Sequence, residues 1–248
     1  MNMKQVLCFA VCAWLSTHAA FAQNVQQPKV FLALNGGYQL TKNSFVDGAV
    51  KRENAEDGRF DTTYQIETGP SFNIAGGANV RRQFGMGVAI NRISVASPSH
   101  LNGSIPHPFF FNRPRVVSGE VSGLNREEFA LHIQARVSRP VSRRLQITGF
   151  GGPSVFHVTQ GIVTDFSYSD SYPFDEAAFR NGVTETRKAS RIGFNVGADV
   201  AFFFSRQVGV GFSAQFSGAS IPLKSASGGT VDVRAGGAQL GGGLRLRL

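Results

Sequence analysis

Beyond Cys12 the chain has no cysteine. The only two, Cys8 and Cys12, fall in the first dozen of 248 residues. Disulfide scaffolds, zinc fingers, iron–sulfur sites and thiol catalysis are therefore excluded from the rest of the protein. Charge is also scarce: 17% of residues are charged against 42% hydrophobic, a balance that excludes an intrinsically disordered chain. The 29 glycines follow no Gly-X-Y period, so collagen is excluded too. Past the N-terminal segment no apolar run approaches the ~20 residues of a spanning helix; Val200 to Phe204 is among the longest, and Asp199 stands directly before it. The length suits one domain with sizeable loops.

The first segment reads as an export address. Lys4 supplies a positive start, Val6 to Leu15 an apolar run, and Ala20-Phe21-Ala22 a small-x-small cleavage pattern before Gln23. Cys12 lies inside the apolar run, which argues against a lipoprotein. Cleavage after Ala22 leaves a mature domain, residues 23–248, located outside the cytoplasm of a bacterium. Loss of Lys4 leaves 24 Lys+Arg against 16 Asp+Glu, so the mature chain stays basic.

The mature chain alternates in twos, the mark of strands whose two faces meet different surroundings. Eight segments show it: Val30–Leu40, Pro70–Val80, Phe84–Ile90, Phe129–Val137, Leu145–Val155, Ile192–Phe202, Val208–Phe216 and Ala238–Leu248. In the sixth, Ile192, Phe194, Val196, Ala198, Val200 and Phe202 oppose Gly193, Asn195, Gly197, Asp199 and Ala201. No apolar face carries a charge. The opposite faces are mostly Gly, Ala, Ser, Asn and Gln with a few ions, which suits the narrow interior of an eight-stranded barrel. A soluble sandwich would instead turn large branched side chains inward. Lipid demands an outward apolar band and a closed sheet, because unpaired backbone groups in hydrocarbon cost several kcal/mol each. The fold expected is an all-β, eight-stranded antiparallel up-and-down transmembrane barrel.

Link lengths agree. Thr41–Gly69, Asn91–Glu127, Phe156–Arg191 and Ser217–Gly237 are long; Arg81–Gln83, Ser138–Arg144 and Phe203–Gln207 are short. Four long extracellular loops and three short periplasmic turns are what eight such strands need, with both termini periplasmic. Alternation within Tyr64–Glu67 and Phe166–Ser169 predicts that strands extend above the membrane.

On these features the whole mature chain resembles the OmpA-like superfamily of small outer-membrane β-barrels. Leu244, Leu246 and Leu248 form an alternating C-terminal segment similar to the family's signal to the barrel-assembly machinery, although Leu248 stands where Phe or Trp is usual. The resemblance implies residence in the outer membrane, contact with its lipids and lipopolysaccharide, and a monomer; no further domain is expected after the last strand.

Candidate sites are few. Ser104 to Arg115 (SIPHPFFFNRPR) is too rich in proline for a spanning strand and belongs in the second outward loop. It could present an aromatic-basic surface to a partner, or pack its aromatics over the barrel rim or the membrane interface. Asp165 to Asp175 (DFSYSDSYPFD) offers oxygen ligands to calcium but lacks EF-hand spacing, so a strand extension is the simpler expectation. Glu128, Arg136, Asp199, Arg245 and Arg247 should project inward and plug the lumen or line a narrow path. His132 and Glu128 share a strand face but stand roughly 13 Å apart; His100 and His107 fall in a loop and His157 near a rim. Gly85-Met86-Gly87 lacks the rest of a dinucleotide fingerprint. Arg81, Arg82, Arg143, Arg144, Arg187 and Lys188 are scattered, without an aromatic platform, and suit anionic lipid headgroups better than nucleic acid. No catalytic, cofactor or metal residue is assigned. The expected role is display of extracellular loops, with a narrow channel or a lipid-modifying enzyme as alternatives.

Overall fold

A computed structural model describes residues 29–81 and 83–248; the expected export segment, Met1 to Ala22, lies outside the described residues. Twelve strands form: β1 (Val30–Gln39), β2 (Asn43–Glu53), β3 (Glu56–Ile66), β4 (Gly69–Arg81), β5 (Phe84–Ala96), β6 (Ser99–Ile105), β7 (Arg115–Val121), β8 (Asn125–Pro140), β9 (Leu145–Asp170), β10 (Ala177–Phe203), β11 (Val208–Lys224) and β12 (Thr230–Arg247). Eight of them close a ring in the order β1-β12-β11-β10-β9-β8-β5-β4, every neighbouring pair antiparallel. The first and last strands meet, Phe31 opposite Arg247 and Gln39 opposite Gln239, so the ring has no free edge.

Local chemistry sets two of the turns. In the β8–β9 turn the Ser142 hydroxyl accepts from the backbone N–H groups of Arg144 (3.2 Å) and Leu145 (3.0 Å). In the β10–β11 turn Ser205 accepts likewise from Gln207 (3.2 Å) and Val208 (2.9 Å). A serine hydroxyl that reaches back to its own backbone locks a tight reversal, and the reversal fixes the register of the long hairpins.

The faces fall as the alternation requires. Phe194 and Val210 are 52% and 47% exposed, while Asn195 and Asp199 are 2% and 6% exposed. Phe72, Phe84, Met86, Phe129, Ile133, Phe202, Phe212 and Leu244 continue the outward band around the ring. With lipid outside, that band is stabilising, and the protein spans the membrane as a transmembrane β-barrel.

Above the barrel the rule inverts. A second sheet, β2-β3-β6-β7, continues the staves β1, β4, β5 and β8 in the same order. Its buried face is mostly apolar, with Phe45, Phe60, Tyr64, Leu101 and Val117 packing on Ile162, Val163 and Phe166 of β9, and Asp47 and Thr62 buried among them. β9 and β10 together form an arm that crosses the mouth. Lys51 of β2 donates to the Asp165 carboxylate (2.8 Å) and to the Phe166 carbonyl (2.6 Å), which pins the arm across the opening. Asp47 accepts from the Ser225 hydroxyl and from Ala226 N–H (2.9 Å), which ties in the β11–β12 turn. The result is a dry dome standing on a polar lumen. Buried Gln39, Arg126, Gln160 and Gln239 lie at the upper ends of the barrel strands, between the two.

Candidate functional site

All five charges expected inside the barrel face the lumen, and four of them are buried. Asp199 pairs with Arg245, whose Nε donates to both carboxylate oxygens at 3.1 and 3.2 Å, with a further contact from Nη2. Glu128 pairs with Arg126, Nε to Oε1 at 2.6 Å, and its second oxygen accepts from Gly236 N–H at 2.8 Å. Arg126 also donates to the Arg234 carbonyl at 2.7 Å. Arg136 stacks on Phe31, and half-buried Arg247 on Phe203. A cavity lined by Arg136, Asp199, Arg245 and Arg247 measures about 30 Å³ and another, among Asn35, Asn73, Gln215 and Gln239, about 20 Å³, each with room for a water or two and little else. The lumen is a packed polar core.

Arg126 is absent from the expected set, although it shares a strand face with Glu128 two residues away. Its partner could not be chosen from sequence, because several strands turn polar groups to the same axis. His132 shows the same limit. It does not meet Glu128; its Nδ1 lies 2.7 Å from the Ser154 hydroxyl, and Asn195 donates to that hydroxyl at 2.9 Å. Ser154 is opposite His132 in the β8–β9 register, so the length of the turn was the signal that could have found it. On the outer surface His157 and Ser190 form a second such pair at 2.8 Å. Hydrolysis needs a carboxylate or amide that orients the histidine. The Gln215 amide lies 3.3 Å from His132 Nε2, but His132 and Ser154 are buried and sealed from substrate; among the described residues no hydrogen bond or ion pair joins His157 to a carboxylate or amide.

The built surface lies at the far end of the molecule. The segment from Pro106 to Pro114 caps the β6–β7 hairpin, and Phe109, Phe110 and Phe111 project from it with 69%, 55% and 75% of their surface exposed. They do not pack back over the barrel rim, as one of the two sequence readings had them; the hairpin carries them to its apex. Beneath them His107 is buried, and its Nδ1 accepts from the N–H groups of Phe109 (3.1 Å) and Phe110 (3.2 Å). Buried Arg115 ties this hairpin to the β9–β10 tip, donating to Asp170 (2.7 Å), the Phe174 carbonyl (3.2 Å) and the Pro106 carbonyl (3.1 Å). Arg113 binds Asp175 at 2.9 Å. Phe109 meets Phe174 edge-on at 5.4 Å, and Phe174 in turn meets Tyr172, which is 87% exposed. Two hairpins thus share one aromatic apex on a buried polar clamp.

The acids of Asp165–Asp175 serve that clamp. Asp165, Asp170 and Asp175 bind Lys51, Arg115 and Arg113 in turn. Among the described residues no three Asp, Glu, His or Cys side chains gather as a metal site.

No protein-family model and no curated protein matches the chain. Among solved structures, Neisserial surface protein A (NspA) aligns over 88% of this chain and 97% of its own, with a TM-score of 0.47 and 9% identity. Ail, the attachment invasion locus protein of Yersinia pestis, aligns over 88% and 99%, with a TM-score of 0.36 and 12% identity. The translocator domain of the autotransporter NalP from Neisseria meningitidis covers 99% and 95%, with a TM-score of 0.23 and 12% identity. The chain's own ring closure and the chemistry of its faces establish the barrel.

Proposed function

We propose that the protein is a monomeric display barrel of the bacterial outer membrane, exported by its N-terminal segment, whose working part is the aromatic apex. The observation that carries this reading is the clamp under Phe109, Phe110 and Phe111. Burying His107 and Arg115 costs desolvation, and their hydrogen bonds hold large apolar groups out in water. Exposed aromatics on a rigid mount favour binding, since little side-chain and loop entropy remains to be lost. On this reading the outward band meets membrane lipid, and exposed Arg92, Lys188 and Arg234 supply cations for lipopolysaccharide phosphates. Leu244, Leu246 and Leu248 serve recognition by the barrel-assembly machinery.

Two measurements test the reading. A Phe111→Cys variant should react with a membrane-impermeant maleimide on intact cells; protection until lysis would overturn surface display. Cells bearing the wild-type protein should partition into hexadecane more readily than cells with equal amounts of Phe109→Ser/Phe110→Ser/Phe111→Ser. Equal partition would remove the apex from any contact role.

A further inference from the structure

The lumen pairs its charges at one end and not at the other. Near the dome, Arg126 has Glu128. At the end that carries the short turns, Arg136, Arg245 and Arg247 line one cavity with a single carboxylate, Asp199. Arg245 occupies that carboxylate through both of its oxygens. Arg136 is only 9% exposed, yet among the described residues no carboxylate lies within 4.0 Å of it. Its guanidinium reaches Gln134 Oε1 at 3.4 Å and lies over the rings of Phe31 (4.0 Å) and Phe150 (5.5 Å). Arg247 donates to Gln146 at 2.6 Å, and its Nε is buried with no partner. Buried Arg136 and half-buried Arg247 therefore share their cavity with one carboxylate that Arg245 already occupies, an excess of positive charge that low-dielectric surroundings penalise. The exposed rim repeats the sign: Lys29, Arg81, Arg139, Arg143, Arg144 and Arg206 surround this mouth, and the three short turns hold no Asp or Glu.

We infer that the turn end of the lumen is an anion site that takes a phosphate-class oxyanion. Guanidinium forks match tetrahedral oxyanions with paired, charge-assisted hydrogen bonds. Ser138 and Thr148 line the same cavity and place two hydroxyls within it. The cationic rim concentrates anions at the entrance. The enclosed space, about 30 Å³, admits oxygens and not a whole solute, so the anion seats from the mouth and goes no further. The phosphate comes either free in solution or on a lipid headgroup of the adjoining leaflet.

The test uses the folded full-length mature chain in uncharged detergent. The readout is the temperature at which its gel mobility changes from folded to unfolded, with inorganic phosphate replacing chloride at constant ionic strength. A rise of several degrees is expected, and Arg136→Met/Arg247→Met should abolish it while Arg59→Gln, at the dome end, keeps it. Should the double variant fail to fold, Arg247→Lys, which keeps the charge and loses the fork, should require several-fold more phosphate. In a second arm, in buffer without inorganic phosphate, nanodiscs of zwitterionic phosphatidylcholine, whose phosphate is paired with its own ammonium, are compared with ones containing anionic phosphatidylglycerol. A rise with free phosphate assigns the soluble source, and a rise with phosphatidylglycerol alone assigns the headgroup. No rise in either arm, or a rise that persists without Arg136 and Arg247, overturns the site.

Discussion

Arg126 is among the largest side chains with no exposed surface, and its neighbours show how a barrel this narrow affords such a group. Glu128 neutralises it, and the spare carboxylate oxygen takes the N–H of Gly236. Gly236 has φ 84°, and a Cβ there would strike the Ser217 carbonyl, so only glycine can present that N–H. Arg126→Met should destabilise the barrel by about 3–5 kcal/mol, since it strands a buried carboxylate. Urea unfolding in detergent measures it, and adding Glu128→Leu should recover part of the loss. Tyr64 in the dome behaves differently. Burial pushes its phenol up from 10 to about 12, while its oxygen accepts from Val163 N–H at 2.7 Å. The unfolded chain ionises first, so this contribution is complete below pH 10 and declines between pH 10 and about pH 12. The loss should reach roughly 2–3 kcal/mol, and Tyr64→Phe should flatten that alkaline slope in the same unfolding assay.

At the scale of elements the long arm is the informative piece. The ladder between β10 and β11 ends at Phe194 opposite Gly218, while β10 continues to Ala177 with β9 as its only hydrogen-bonded neighbour. A free edge of that length invites pairing with another chain. The sequence blunts it with Lys188 and Arg191 and with a register shift at Arg180, and blunts the facing β11 edge with Pro222. Lys188→Val/Arg191→Val should therefore increase self-association over the wild-type protein, visible by cross-linking in detergent; an unchanged cross-linking pattern would show that charge does not protect this edge. The arm was half legible beforehand. Alternation in Phe166–Ser169 gave its strand character, but its path over the mouth depends on Lys51 and Asp165, which lie 114 residues apart in the chain.

For the whole molecule, the described residues set a dome above, a lumen filled with polar side chains and a crowded mouth below, an arrangement that opposes conduction. Reconstituted protein in planar bilayers should show no resolved current steps at any voltage, and steady unitary conductance would refute the packed lumen. The number of spanning strands, their faces, their turns and the inward set Glu128, Arg136, Asp199, Arg245 and Arg247 were all readable from period-two alternation. That pattern is local, written into each strand by the medium on either side. Period two does not say which medium lies outside: Phe194 and Phe60 are both large and apolar, one turned to lipid and the other to a dry interior under water. Ring closure and the crossing arm decided that, together with the partners of Arg126 and His132 and the exposure of the aromatic apex, because each depends on strands brought together from distant parts of the chain.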